Sequence, residues 1–213
     1  NIQLDEITDF HIKNDDIYIS GYVKSSNDNY SLSVINSSIK NINDLNFKTI
    51  FLAEDKRCIF GFPHAGKLKS YNHKGKDGIL LTTRWMGKTN KPNSDNILDD
   101  NICGKVLFID NNSNDYETFS RGHRNIIGLY VEDSLVLATE NGPWGGDEIN
   151  KIEYNQNYGT IKINNTFPSV INIYTVKGQL LYKNTFTNTL NFNINYDGLI
   201  LIKVNNTHSV LTK

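Results

Sequence analysis

The feature that most limits what this chain can fold into is its rhythm of short β-runs. Strand starts recur about every ten residues, separated by Asn, Ser and Asp turns, and no segment of useful length carries a helical period. From Asn1 to Phe60 the runs are Ile17 to Val23, Tyr30 to Ile35, Thr49 to Ala53 and Arg57 to Phe60. Such spacing fits the blades of a propeller or a sandwich equally well, and both predict an all-β protein. Composition agrees: 11 Tyr and 10 Phe against 4 Pro and 1 Met favour strands joined by polar turns.

A length of 213 residues with 38% hydrophobic content permits one or two globular domains, and a net charge of -1 gives no electrostatic footprint for nucleic acid. No apolar run approaches the roughly 18 to 20 residues that span a bilayer, and the charged-then-apolar leader of a signal peptide is absent from the N-terminus. The chain starts at Asn1 and not at Met, so we expect a processed chain or a piece of a longer one. Cys58 and Cys103 are too few and too far apart for a zinc pattern; they are expected as buried free thiols, with a single disulfide as the alternative.

The densest chemistry lies between Ser120 and Gly159. Gly122-His123-Arg124-Asn125 sets a fixed cation and an amide beside a glycine, directly before the apolar run Ile126 to Val131, so donors are presented at a strand's mouth. Ser134 to Thr139 alternates and is partly β-branched; with Glu132-Asp133 as the turn, it predicts the second strand of a hairpin. Glu140 to Glu148 then holds three glycines and a proline, which cannot continue a strand. Backbone carbonyls left over from any ladder, next to Asp147 and Glu148, suit a hard cation such as calcium.

The ordered motifs GHRN, GL, ENGPWGGDEIN and NYG resemble the glucose/sorbosone dehydrogenase family, soluble PQQ-dependent aldose dehydrogenases. Phe62-Pro63-His64-Ala65-Gly66-Lys67-Leu68 resembles the family's segment around its catalytic histidine, and Gly104 to Asp110 its Gly-Lys-Val/Ile-Leu strand. The resemblance implies a six-bladed β-propeller with PQQ and calcium above the central channel. It implies oxidation of an aldose sugar at the anomeric carbon to the lactone, with electrons passed to an external acceptor. His64 is then the base, Arg124 the cation that stabilises charge on the quinone, and Asn125 a donor to a neighbouring quinone oxygen. Backbone oxygens at Gly142 and Pro143 are implied as calcium ligands, with a further, structural calcium nearer Glu148 and Tyr158. His11, His73, His123 and His208 have no comparable context, and His73, in a Lys/Gly/Asn turn, is expected in solvent.

Departures from the family pattern fall at the same places. Arg84-Trp85 stands where the family has Gly-Asp, and Ile126-Ile127 replaces Pro-Gln, removing a polar group near the cofactor. Trp144 reads either as a stacking wall for a ring or as a packed core residue. At roughly 40 to 45 residues per blade, residues 1–159 are expected to supply three to four blades, a partial propeller with open edges.

The resemblance ends at Gly159, and 160–213 predicts a small β-sandwich-like domain with strands at Val170 to Val176, Gln179 to Lys183, Thr189 to Ile194 and Leu199 to Val204. This tail resembles the C-terminal sorting domains of type IX secretion, which implies secretion machinery as a partner and a secreted, periplasmic or cell-surface location. Two functions follow: the dehydrogenase, or a non-catalytic calcium-binding module displayed on a surface. A hydrolase is disfavoured, because no Ser/His/Asp arrangement and no His/Glu zinc spacing is visible.

Overall fold

The computed structural model describes residues 4–24, 30–53, 65–84, 101–141, 148–158, 160–175, 179–193, 199–204 and 207–212, and among them there is no helix. Polar turn residues cut the chain into antiparallel ladders. β1 (Glu6–Lys13), β2 (Asp16–Lys24), β3 (Tyr30–Ser38) and β4 (Lys48–Leu52) form a first sheet in sequence order. β5 (Leu68–His73), β6 (Lys76–Thr82), β7 (Lys105–Asp110) and β8 (Tyr116–Arg121) form a second, and β9 (Ile126–Glu132), β10 (Leu135–Glu140) and β11 (Glu148–Lys151) a third. The chain then returns to the second sheet, where β12 (Gln156–Asn157) pairs parallel with β8.

The second sheet is the middle layer. Ile79, Leu81, Leu107 and Ile109 point to one side, into a core shared with Tyr18, Tyr22, Leu32, Val34 and Phe51 of the first sheet. Leu80, Val106, Phe108 and Phe119 point to the other side and meet Ile126, Leu129, Val136 and Ala138 of the third. Covering both faces explains why β6 and β7 read as unbroken apolar runs and not as an alternation. The outermost faces are different: Phe10 and Ile12 on the first sheet and Tyr130 and Ile149 on the third are exposed, Ile149 to 77%.

β1, β5 and β11 were not foreseen as strands at those bounds, and two corrections concern single residues. His73 is not in solvent. It is the last residue of β5, one step before the Lys74-Gly75 turn, and alternation sends its side chain inward, where it is 6% exposed among Tyr71, Phe108, Phe119 and Tyr154. Cys103 is not a free thiol: it is disulfide-bonded, and the sequence's only other cysteine, Cys58, lies outside the described residues.

β13 (Thr160–Thr175), β14 (Leu180–Asn193), β15 (Leu199–Val204) and β16 (Thr207–Thr212) make a fourth antiparallel sheet in the order β14-β13-β15-β16. The expected pair Gln179 to Lys183 and Thr189 to Ile194 is joined into one strand, because the 16-residue β13 offers a partner along nearly all of β14 despite a register shift between Asn165 and Ser169.

Two outcomes are expected from this packing. Thiol titration of the unfolded, unreduced chain should find no reactive thiol, and Cys103→Ser should lower the free energy of unfolding by about 2–4 kcal/mol in denaturant titration. Burial holds the His73 imidazole below its ordinary value; Glu117 opposes this and Lys74 adds to it. The neutral ring is therefore the folded form. Its contribution is complete above the unfolded value of about 6.5 and is lost as pH falls from there through the folded value, so urea midpoints at pH 7.5 and 5.5 should converge in His73→Phe.

Candidate functional site

The first strands of the three sheets, β1, β5 and β9, stand side by side. At their N-terminal ends lies a cleft of about 410 Å³, lined by Glu6, Ile7 and Thr8 from β1, Ala65 and Lys67 before β5, Asn125 and Ile127 at the start of β9, and Asn141 after β10. One end of three adjacent strands thus contributes every lining residue but Asn141. Polar groups dominate it, with Ile7 and Ile127 as its exposed apolar members.

The turn before β5 is clamped from both neighbouring strands. Gly66 takes a φ of 98°, and a Cβ there would meet Thr8 Oγ1 at 2.4 Å, so only glycine fits. Ser20 Oγ donates to Gly66 O at 2.5 Å, Asp9 Oδ2 accepts from the Leu68 N–H at 3.0 Å, and Thr82 Oγ1 accepts from the Lys67 N–H at 2.9 Å. Lys67 Nζ crosses to Thr8 O at 3.2 Å.

Opposite this turn, Gly122 at φ 84° swings the chain out of β8 and into the Arg124-Asn125 corner. His123 N–H donates to Gly104 O at 2.9 Å, and the His123 ring is fully buried, stacked on Tyr158 at a centroid distance of 4.8 Å. Its Nε2 lies 2.8 Å from Ser120 Oγ and its Nδ1 3.2 Å from Glu140 Oε2. The other oxygen of Glu140 accepts the Arg124 N–H and, at 3.3 Å, the Asn125 N–H. Burial raises the Glu140 carboxyl, but His123 and the two backbone N–H groups more than offset it, and the net direction is below its ordinary value. Glu140 is therefore a buried carboxylate.

The Arg124 guanidinium is half-buried and donates from Nη1 to Asn141 O at 2.9 Å. Arg84 is half-buried too; burial lowers its pKa, Tyr22 opposes, and the charge of Arg124 adds to the lowering. Burial pushes the Tyr22 hydroxyl up to about 12. Asn125 is 8% exposed, its C=O accepts from the Asn141 N–H at 3.0 Å, and its side-chain oxygen is buried with no hydrogen-bond partner.

Of the residues singled out from sequence, Asn125 lines the cleft and Arg124 directly precedes it, its guanidinium bonded to the lining residue Asn141. Glu148 opens β11 in register with Glu140, and Tyr158 donates its hydroxyl to Lys151 O at 2.5 Å and accepts from the Glu153 N–H at 2.8 Å. His64, Gly142, Pro143, Trp144 and Asp147 lie outside the described residues. Beyond the residues singled out, Ser120, His123 and Glu140 form a hydrogen-bonded chain with a glutamate as its acid, hidden from inspection because a hairpin of β9 and β10 separates its histidine from its carboxylate. The glutamate at the head of ENGP was the available signal.

Comparisons with known proteins bear on this site. The sequence model of the Glucose / Sorbosone dehydrogenase family matches residues 82–168. That interval holds the Arg124-Asn125 corner and Glu140, runs past Gly159, and does not reach His64. The uncharacterized protein slr1608 of Synechocystis sp. is 51% identical over 45 residues, 20% of this chain and 11% of its own length. A solved glucose dehydrogenase shares the fold with a TM-score of 0.55 at 23% identity, over 68% of this chain and 45% of its own. The apo-form of the soluble aldose sugar dehydrogenase of Escherichia coli does so with a TM-score of 0.55 at 22% identity, over 68% of this chain and 44% of its own. The chain spans less than half the length of these structures, with which it shares the all-β fold.

The clamp is testable without any ligand. Thr82→Val keeps shape but removes the acceptor of the Lys67 N–H, and should cost about 1–2 kcal/mol in chemical denaturation, with faster amide exchange at Lys67.

Proposed function

We propose that this chain is part of a PQQ- and calcium-dependent dehydrogenase that oxidises an aldose at its anomeric carbon to the lactone, its first three sheets being blades of a six-bladed β-propeller. One observation carries the reading: the Asn125 amide is held at the cleft wall with a buried, unpartnered polar end, beside a guanidinium that is itself fixed. Buried polar atoms are rarely left alone, and an amide can turn either end toward a ligand. A quinone oxygen flanked by a cation suits that corner.

PQQ, when bound, supplies the hydride acceptor, and calcium a Lewis acid beside its quinone. Arg124 and Asn125 would hold the quinone oxygens. Backbone oxygens of Gly142 and Pro143 would hold the ion, with a structural calcium nearer Glu148 and Tyr158. The Arg124 guanidinium can meet negative charge without a proton changing hands. His64 would accept the proton of the anomeric hydroxyl, and the clamp on Gly66, Lys67 and Leu68 fixes the backbone two residues beyond it. The buried Ser120-His123-Glu140 chain does not compete as a hydrolytic centre, because Ser120 is 1% exposed and no substrate reaches it.

The disulfide at Cys103 supports an oxidising compartment, in keeping with a secreted, periplasmic or cell-surface protein. Residues 160–213 as a sorting-type domain engaged by secretion machinery belong to the same reading. A non-catalytic calcium-binding module is the second reading, favoured by Ile127, an exposed apolar side chain on the cleft wall where a polar neighbour would serve a cofactor better.

Titrating the calcium-loaded chain with PQQ by absorbance, then adding an aldose and a reducible dye, separates the two. Saturable binding is expected, weakened about 10- to 100-fold in Arg124→Ala, with dye reduction abolished in His64→Ala. Calcium binding without PQQ binding would establish the second reading.

A further inference from the structure

Four donors converge on one carboxylate under the cleft. Glu140 Oε1 receives the N–H groups of Arg124 and Asn125, and Oε2 receives His123 Nδ1 at 3.2 Å and Asn150 Nδ2 at 3.5 Å. A carboxylate has about four lone-pair sites, so it is filled. Because it can only accept, His123 must carry its proton on Nδ1, and Nε2 then serves as the acceptor of the Ser120 hydroxyl in the neutral ring. Ser120, His123 and Glu140 thus share the order of a nucleophile, base and orienting acid, but with exposures of 1%, 0% and 6% they act on the protein itself.

What they act on is the cleft. The two peptide N–H groups captured by Glu140 belong to Asn125, which lines it, and to Arg124 directly before, and the residue after Glu140, the lining Asn141, accepts from the Arg124 guanidinium and pairs with Asn125. We propose that Glu140, held in turn by His123, is the positioning residue of the site: it fixes the backbone of Arg124 and Asn125 and so sets where the Asn125 amide stands at the cleft and where the Arg124 guanidinium meets Asn141. The consequence for the quinone rests on the reading above; the fixing of the backbone does not.

Glutamine at this position makes the assignment specific. Its oxygen can still accept from Arg124 and Asn125, but its NH2 would face a ring nitrogen that already carries a proton. His123 can yield by moving that proton to Nε2 and donating to Ser120 Oγ. Glu140→Gln is therefore a conservative rescue with a signature that packing alone does not produce.

Amide exchange and ring 15N shifts on the full chain, with PQQ titration in calcium alongside, test this. In Glu140→Ala the Arg124 and Asn125 amides should exchange about 100-fold faster while β7 amides hold, and the PQQ Kd should rise about 10- to 100-fold. Glu140→Gln should restore most of both, with the His123 proton moved from Nδ1 to Nε2. The assignment is overturned if Glu140→Ala leaves those two amides as slow as in the parent chain, or if Glu140→Gln fails like alanine with the His123 tautomer unchanged. Should the parent chain bind no PQQ while Glu140→Ala still releases the two amides, the cofactor reading falls and the positioning role stands. Unchanged PQQ affinity in Glu140→Ala, with the amides released, would overturn the claimed placement of the side chains.

Discussion

Burial of both faces of β6 and β7 is the constraint from which the rest of the first three sheets follows. A strand with water on one side can alternate; one with a sheet on each side sends successive apolar side chains into opposite cores, as Ile79, Leu80 and Leu81 and Leu107, Phe108 and Ile109 do. Once this layer is fixed, the first and third sheets are placed by the cores they share with it. Their first strands are brought beside β5, and the strand mouths that line the cleft arrive together. The cleft is thus an outcome of hydrophobic packing some distance beneath it.

That layer was the most legible part of the sequence, since runs such as GILL and KVLFID state their burial directly. β1 was not: EITDFHIK mixes charges with apolar residues, and its two faces meet the second sheet and open solvent in a pattern broken by a bulge between Ile7 and Asp9. His73 was misread because a turn's composition says nothing about which way the residue before it points; strand parity decides that. Cys103 could not be assigned either, for pairing depends on distances that no spacing reveals.

The site divides in the same way. Arg124 and Asn125 were visible because they sit together in a short motif with a glycine before them. Ser120, His123 and Glu140 were not, because they meet only after β9 and β10 have folded back on one another. A local pattern shows what a segment can present; what holds that segment in place is usually contributed from elsewhere in the chain. Here the support is charged and buried, which low dielectric makes strong only while every donor and lone pair is matched.

Gly104 gives this arrangement a further meaning. Its N–H donates to Arg84 O at 3.0 Å and its C=O accepts from His123, while its own neighbour is the cross-linked Cys103. A single residue therefore stands between a covalent tether and the buried His123 beneath the cleft. Cys103 packs in the core shared by the first and second sheets, and this junction sits where the tether ends. The history of a sample, oxidised or reduced before it folded, is thereby written into the firmness of the cleft as well as into the stability of the chain.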